Sequence, residues 1–316
     1  MKNILVVGFG AMGCRHVQSL MAFPDKYRIH VLEPVTQNIE TNTEKIGADS
    51  GDISWYSDLA QVDPNIDLAI IATSSGPRFE IVKSLLQKGI RLFLLEKIVF
   101  QSASQFQEVI ELIDKHSAKA YCNFVNRYFN SYNEIKQKLT NRKSPFQMLV
   151  YGGEFGLGCN AIHYIDIFQY ISGETYGILM EESNLQISNT GNRRGQQYKE
   201  FTGVMRMRNN RTDTLSIVSD IGFQGGVIIS IIFGEKKYLL SEGTGKMVSI
   251  EDNINITEFN IIPTSRLTST IVQDMLSGNC RLTQLNETAE VHKSLFNEFN
   301  PLVYGKSSPE LLCPIT

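Results

Sequence analysis

The sequence has no apolar run long enough to cross a bilayer. Its most hydrophobic stretches, residues 68–72, 92–95 and 227–233, stop well short of the roughly 18 residues that a membrane helix needs. A leader pattern is missing too: Met1-Lys2-Asn3 runs straight into residues 4–7 and a glycine, too short an apolar core for a signal peptide. Cysteine is sparse. The five residues Cys14, Cys122, Cys159, Cys280 and Cys313 are odd in number and scattered, with no C-x-x-C pair, which excludes a disulfide framework and the usual zinc spacing. No metal is expected, and a reducing cytoplasm is the expected compartment. A large excess of charge of either sign is also lacking. With a net charge of −3 there is no broad basic surface for nucleic acid or an anionic membrane, so small molecules are the expected partners.

What is present is an ordinary globular composition, 42% hydrophobic and 20% charged over 316 residues, long enough for two cores. Up to about residue 120, short apolar runs alternate with helix-like stretches, as βα units of a parallel sheet do. The pattern predicts strands at 4–7, 29–32, 68–72, 92–95 and 118–123, and helices at 13–22, 36–46, 77–88 and 103–115. Beyond it, a helix over 126–139 and another over 162–171 interrupt long alternating segments at 146–152, 177–187, 202–208, 215–220 and 227–233. Two further helices are predicted over 269–276 and 287–299. The fold class is therefore an α/β Rossmann domain, residues 1–121, followed by an α+β domain, residues 122–316, with a large mostly antiparallel sheet.

Residues 8–13 read Gly-Phe-Gly-Ala-Met-Gly, directly after the first predicted strand and directly before a helix. In that context each glycine has a task. Gly8 makes the tight turn, Gly10 lets a diphosphate approach the main chain, and Gly13 lets helix and strand pack closely. Ala11 and Met12 supply amides at the helix N-terminus, where the dipole favours an anion. Twenty residues beyond Gly13 the second strand ends at Glu33, a carboxylate placed to accept the ribose hydroxyls of NAD. A 2′-phosphate would be repelled there, so NAD is the expected cofactor and NADP the less expected one.

The chain resembles the glucose–fructose oxidoreductase, inositol dehydrogenase and rhizopine-catabolism family, known as Gfo/Idh/MocA. The likeness rests on the ordered series Gly8 to Gly13 with His16, then Ile70-Ile71-Ala72-Thr73, Lys88-Gly89-Ile90, Leu95-Glu96-Lys97, Asn126-Arg127 and His163-Tyr164-Ile165-Asp166. The resemblance implies that Thr73, Ser74 and Glu96 line the cofactor. It implies that Lys97 reaches the reacting hydroxyl, and that His163 takes its proton while hydride leaves the same carbon for NAD. Oxidising an alcohol needs such a base and such an oxyanion stabiliser. Arg78, Asn126, Arg127, Cys159 and Asn160 are the implied substrate contacts.

The chain also departs from the family pattern. Cys159 stands for the first aspartate of the helix motif, so Asp166 becomes the substitute partner that orients His163. Ile98 stands for the proline after the lysine, and Ser74 and Arg78 stand where the family often has proline and histidine, which turns Arg78 towards an anionic substrate group. Taken alone, Lys97 reads equally as a solvated strand-end charge, His163 as a core histidine and Cys159 as a small buried thiol. His16, His30, His116 and His292 read as structural or solvent-facing. The aromatic run from Tyr121 to Tyr132 reads as packing. The first expectation is an NAD-dependent oxidoreductase acting on a secondary hydroxyl of a sugar, cyclitol or sugar derivative. The alternatives are an epimerase or eliminase that returns the hydride, and an NAD-binding sensor without turnover. A homodimer or homotetramer is expected to cover the open sheet face.

Overall fold

The structure is a computed structural model and describes residues 1–46, 53–63, 65–188, 195 and 197–316. It divides into two compact units. The first comprises Met1–Phe100, Gln105–Asn123 and Ile262–Asn286; the second comprises Gln101–Ser104, Phe124–Ile261 and Glu287–Thr316.

The first unit is a six-stranded parallel sheet in the order β3-β2-β1-β4-β5-β6, made of β1 (Lys2–Val7), β2 (Tyr27–Leu32), β3 (Ile53–Tyr56), β4 (Leu68–Ile71), β5 (Leu92–Leu95) and β6 (Lys119–Cys122). The helices α1 (Ala11–Met21), α2 (Thr36–Ile46), α3 (Ser75–Gln87) and α4 (Ala103–Lys115) connect successive strands. Because helices cover both faces of such a sheet, its central strands read as unbroken apolar runs. All of Leu68–Ile71 is accordingly buried. The short strand β3 has no counterpart among the predicted strands. It is an edge strand in which only Ile53 is fully buried, and that leaves little periodic signal.

The expected boundary at residue 121 needs revision. The segment 262–286 belongs to the first unit, where α7 (Thr264–Ser277) lies against α1. Ser269 N donates to Ser19 Oγ at 2.9 Å and Tyr27 Oη donates to Ser269 O at 3.2 Å. The reason is an apolar stripe, Leu267, Ile271, Val272 and Met275, which α7 must bury.

The second unit is built on an eight-stranded sheet in the order β14-β13-β12-β11-β7-β10-β9-β8. Its strands are β7 (Gln147–Gly152), β8 (Leu179–Ile187), β9 (Phe201–Arg208), β10 (Thr214–Ser219), β11 (Ile228–Phe233), β12 (Lys236–Ser241), β13 (Lys246–Ile250) and β14 (Ile254–Glu258). Every neighbouring pair is antiparallel except β7 with β10. The strands β12 to β14 were not expected from sequence. They carry Lys236, Lys237, Lys246, Asn255 and Glu258 on exposed positions, and β14 is exposed throughout, so the apolar alternation is weak. The helices α5 (Asn130–Leu139), α6 (Leu157–Ser172) and α8 (Leu285–Tyr304) supply the rest of this unit's core. A 3-10 turn, Val125–Tyr128, precedes α5, so the helix predicted over 126–139 is two pieces. Helix α6 starts five residues earlier than predicted, directly after Gly156, whose φ of 79° suits glycine, and stops at the left-handed Gly173.

Candidate active site

The glycine turn behaves as its spacing implies. Gly8 follows β1 with φ +90°, and a Cβ there would lie 3.0 Å from Thr73. A Cβ on Gly13 would lie 1.9 Å from Gly8 O, so α1 seats on β1 only because position 13 has no side chain. At Gly10 an added Cβ would meet nothing within 4 Å. The space above the first amides of α1 is thus open at the position where a diphosphate needs main-chain access, and the residues fit that group. Ala11 and Met12 form the first helical turn beneath it.

Glu33 leaves the end of β2 and is 5% exposed. Its Oε2 accepts from Phe9 N at 2.7 Å and its Oε1 from Val35 N at 2.9 Å. A carboxylate has about four lone-pair sites, so this fixed group keeps acceptor capacity for ribose hydroxyls. Two residues that sequence reading missed hold the loop. Asn42 Nδ2 donates to Phe9 O at 2.8 Å, and the Phe9 ring meets Trp55 edge-on, with centroids 5.0 Å apart. Neither carries a spacing signal, because each reaches the loop from a separate element.

Two other expected residues of this unit, Glu96 and Arg78, are engaged by the unit's own groups. Glu96 was expected among the cofactor ligands. Its Oε1 lies 3.1 Å from His16 Nε2 and accepts from Asn123 Nδ2, inside the unit's own core. Burial raises its pKa, but the bond and charge of His16 and the Asn123 amide outweigh burial and hold the carboxyl at about 2. His16, read as a packing residue, is the partner in that buried pair, and its Nδ1 lies 2.9 Å from Thr268 Oγ1. Arg78 was expected to face a substrate anion. It is buried instead, donating from Nε, at 3.1 Å, and Nη2 to Thr73 O and from Nη1 to Glu96 O and Ile98 O, which ties together the loops after β4 and β5. Thr73 and Ser74 lie at the start of α3, where Thr73 Oγ1 donates to Ser74 O at 3.0 Å. Lys97 is buried at the end of β5, and the Lys97–Ile98 peptide is cis.

The second unit carries the remaining predicted residues on α6 and the 3-10 turn before α5. Arg127 grips Asp166 with two parallel bonds, Nε to Oδ2 and Nη2 to Oδ1, each 2.9 Å. Both side chains are largely buried, and a fork of this kind is the strongest form of the contact. Asp166, expected to orient His163, is therefore the anchor of Arg127, whose guanidinium also lies 5.1 Å from the Tyr170 ring centroid. His163 faces Phe124 edge-on, centroids 5.8 Å apart. Cys159 is buried, and Asn160 Nδ2 donates to Phe155 O at the N-terminus of α6.

One group here was not foreseen. Glu242, in the turn after β12, accepts from Tyr132 Oη at 2.6 Å and from Asn126 Nδ2 at 3.2 Å, both on Oε1. Burial raises its pKa, and the Tyr132 bond opposes the rise. The phenol of Tyr164 is pushed up by burial and by the Glu242 charge. A single glutamate in a glycine-bearing turn offers no pattern that would have singled it out. Among the described residues, no group of three or more His, Cys, Asp or Glu is arranged to hold a metal ion, and no helix is long and apolar enough to cross a membrane.

A glycine-rich turn after the first strand of a parallel sheet, an open helix N-terminus and an acid fixed at the end of the second strand define a dinucleotide-binding Rossmann protein. Residues 2–124 match the model of the oxidoreductase family with an NAD-binding Rossmann fold, Gfo/Idh/MocA. No curated protein matches it in sequence. Among solved structures, an oxidoreductase from Agrobacterium radiobacter in complex with NAD+, L-tartaric acid and magnesium superposes with a TM-score of 0.74 at 13% identity, covering 98% of each chain. A super-repressor mutant of Gal80p from Saccharomyces cerevisiae gives 0.73 at 12% identity over 96% of each chain. UDP-N-acetylglucosamine 3-dehydrogenase GnnA from Acidithiobacillus ferrooxidans gives 0.71 at 10% identity, covering 93% of this chain and 95% of that one. These likenesses extend the shared fold to both units.

Proposed function

We propose that this chain is an NAD-dependent dehydrogenase that oxidises a secondary hydroxyl of a sugar, cyclitol or sugar derivative. The observation that carries the reading is the carboxyl edge of the parallel sheet. There the glycine turn after β1, Glu33 after β2 and Lys97 after β5 leave one end of one sheet whose order, β3-β2-β1-β4-β5-β6, reverses direction between β1 and β4. Ligands of open α/β sheets bind at such a reversal. When bound, NAD supplies the hydride acceptor. Gly10, Ala11 and Met12 hold its diphosphate, and the acidic Glu33 favours ribose hydroxyls over a 2′-phosphate, hence NAD over NADP. Lys97 donates a hydrogen bond to the substrate oxygen as negative charge develops on it, and His163 accepts the hydroxyl proton. Arg127, held by Asp166, and Asn126 contact the substrate. Two of the structural neighbours, one in complex with NAD+ and one a dehydrogenase, support the class of reaction.

The test is NADH formation with a panel of polyols and sugars, compared between the wild type and Lys97→Ala. Turnover that disappears in the variant supports the dehydrogenase. NAD that stays bound through purification, with product formed and no net NADH, would point to the hydride-returning epimerase or eliminase. A second reading, an NAD-binding regulator without turnover, rests on two departures from the family pattern, Cys159 for the first aspartate of the helix motif and Ile98 for the proline after Lys97. NAD binding with no product from any panel member would support it.

A further inference from the structure

The polar cluster around Glu242 enters the chemistry just described only through Asn126. Its groups come from separate elements of the second unit: Asn126 from the 3-10 turn, Tyr132 from α5, Tyr164 from α6 and Glu242 from the β12–β13 turn. That turn is closed by its own main chain, with Gly245 N and Thr244 N donating to Ser241 O at 2.9 and 3.2 Å. Glu242 therefore starts from a fixed base.

Removing a carboxyl from water is costly unless its oxygens are served by donors. Here both donors, Tyr132 Oη at 2.6 Å and Asn126 Nδ2 at 3.2 Å, fall on Oε1. Oε2 accepts from neither of these donors. The unequal service also decides what Oε2 can do. Oε1 already accepts twice, so a proton on the carboxyl resides on Oε2, which then donates; without the proton, Oε2 accepts. A hydroxyl group suits both states because it donates and accepts. An anionic substrate group suits only the protonated state and is repelled by the other.

We propose that Glu242 binds a hydroxyl of an uncharged, polyhydroxylated substrate through Oε2, with Tyr132 and Asn126 as the positioning residues that pin Oε1. This rests on the substrate class of the dehydrogenase reading and narrows it: the polyol is neutral at the part that meets Glu242. Asn126, a substrate contact in that reading, also fixes this carboxyl.

Calorimetry on the full chain in the presence of NAD tests this, with myo-inositol, glucose, N-acetylglucosamine and glucuronate as probes. At least one neutral probe should bind the wild type. Glu242→Ala should weaken that binding tenfold or more, and Tyr132→Phe three- to tenfold. Glu242→Gln, whose amide still accepts and donates, should stay within threefold of the wild type. Binding in Glu242→Ala within twofold of the wild type would overturn the proposal, as would a wild type that takes only glucuronate or no probe at all. If Glu242→Ala melts early, Tyr132→Phe decides: an unchanged affinity in that variant overturns the proposal. NADH formation, recorded in parallel, separates the two readings. Binding that depends on Glu242 without NADH from any probe removes the dehydrogenase and leaves the hydroxyl site.

Discussion

Gly13 shows how much one missing side chain can decide. Its absent Cβ would sit 1.9 Å from Gly8 O, so Gly13→Ala must push α1 off β1 and distort the turn that faces the cofactor. We expect a loss of roughly 1–3 kcal/mol or more, read as a lower melting temperature together with weaker NAD binding. Glu33→Ala belongs to the same scale and has the opposite profile. It removes the acceptor for the ribose and frees the amides of Phe9 and Val35. NAD affinity should fall by about 10- to 100-fold, as loss of a charged hydrogen bond of roughly 1.5–3 kcal/mol implies, while NADP affinity falls less. Equal losses for both cofactors would count against the assigned role of Glu33. These residues were legible in the sequence because glycine spacing and the strand-end acid are local, fixed by a single strand, turn and helix. Asn42, Trp55 and Glu242 were not, since each meets its partner only after distant segments have folded together. Arg78 was visible as a residue and misread in its task, because nothing in a linear sequence says that a buried guanidinium will serve main-chain carbonyls.

At the scale of elements, two buried carboxylate contacts hold the strand ends and helices that carry the candidate site. Glu96 ties the end of β5 to His16 on α1. Its carboxyl titrates at about 2 in the folded chain against an ordinary value of 4.5, so the unfolded state binds its proton first as the pH falls. The stabilisation is complete above pH 4.5 and is lost as the pH drops towards 2. Acid titration of stability should therefore be shallower in Glu96→Gln, and an unchanged slope would show that the pair contributes nothing. Arg127→Ala would leave Asp166, 2% exposed, without its fork. Removing one partner of a buried pair costs about 3–5 kcal/mol, and Asp166→Asn added to Arg127→Ala should recover part of that loss in urea unfolding. The elements themselves were read well wherever burial on two faces or one strong stripe left a pattern. Charged, half-exposed strands such as β12 and β14 left none, and the first turn of α6, Leu157-Gly158-Cys159-Asn160, has a glycine and an asparagine where helix formers would have announced it.

For the molecule as a whole, the second unit's sheet has one face covered by its own helices and one that none of the described helices covers. Across the open face the register lines up Ile256, Val248, Leu239, Ser230, Leu149, Ser216, Arg206 and Glu182, one residue from each strand in turn. Its apolar end includes Ile256 at 69% and Leu149 at 43% exposure, more than a lone monomer leaves to water without cause. A second copy of this chain is the cover expected from sequence. On that expectation the wild type sediments as an oligomer and Leu149→Glu with Ile256→Glu as a monomer; a monomeric wild type, or an unaltered sedimentation coefficient in the variant, would count against a contact on this face. The return of residues 262–286 to the first unit bears on how the protein comes into being. Ribosomes release the α1 side of the nucleotide unit long before α7 exists to cover it, so the Rossmann half waits, incomplete, through the synthesis of almost the whole second unit. A gene fragment ending at residue 123 would encode an exposed helix face and a permanently open seam, and for this chain the nucleotide-binding half is no module to be cut out and joined to another.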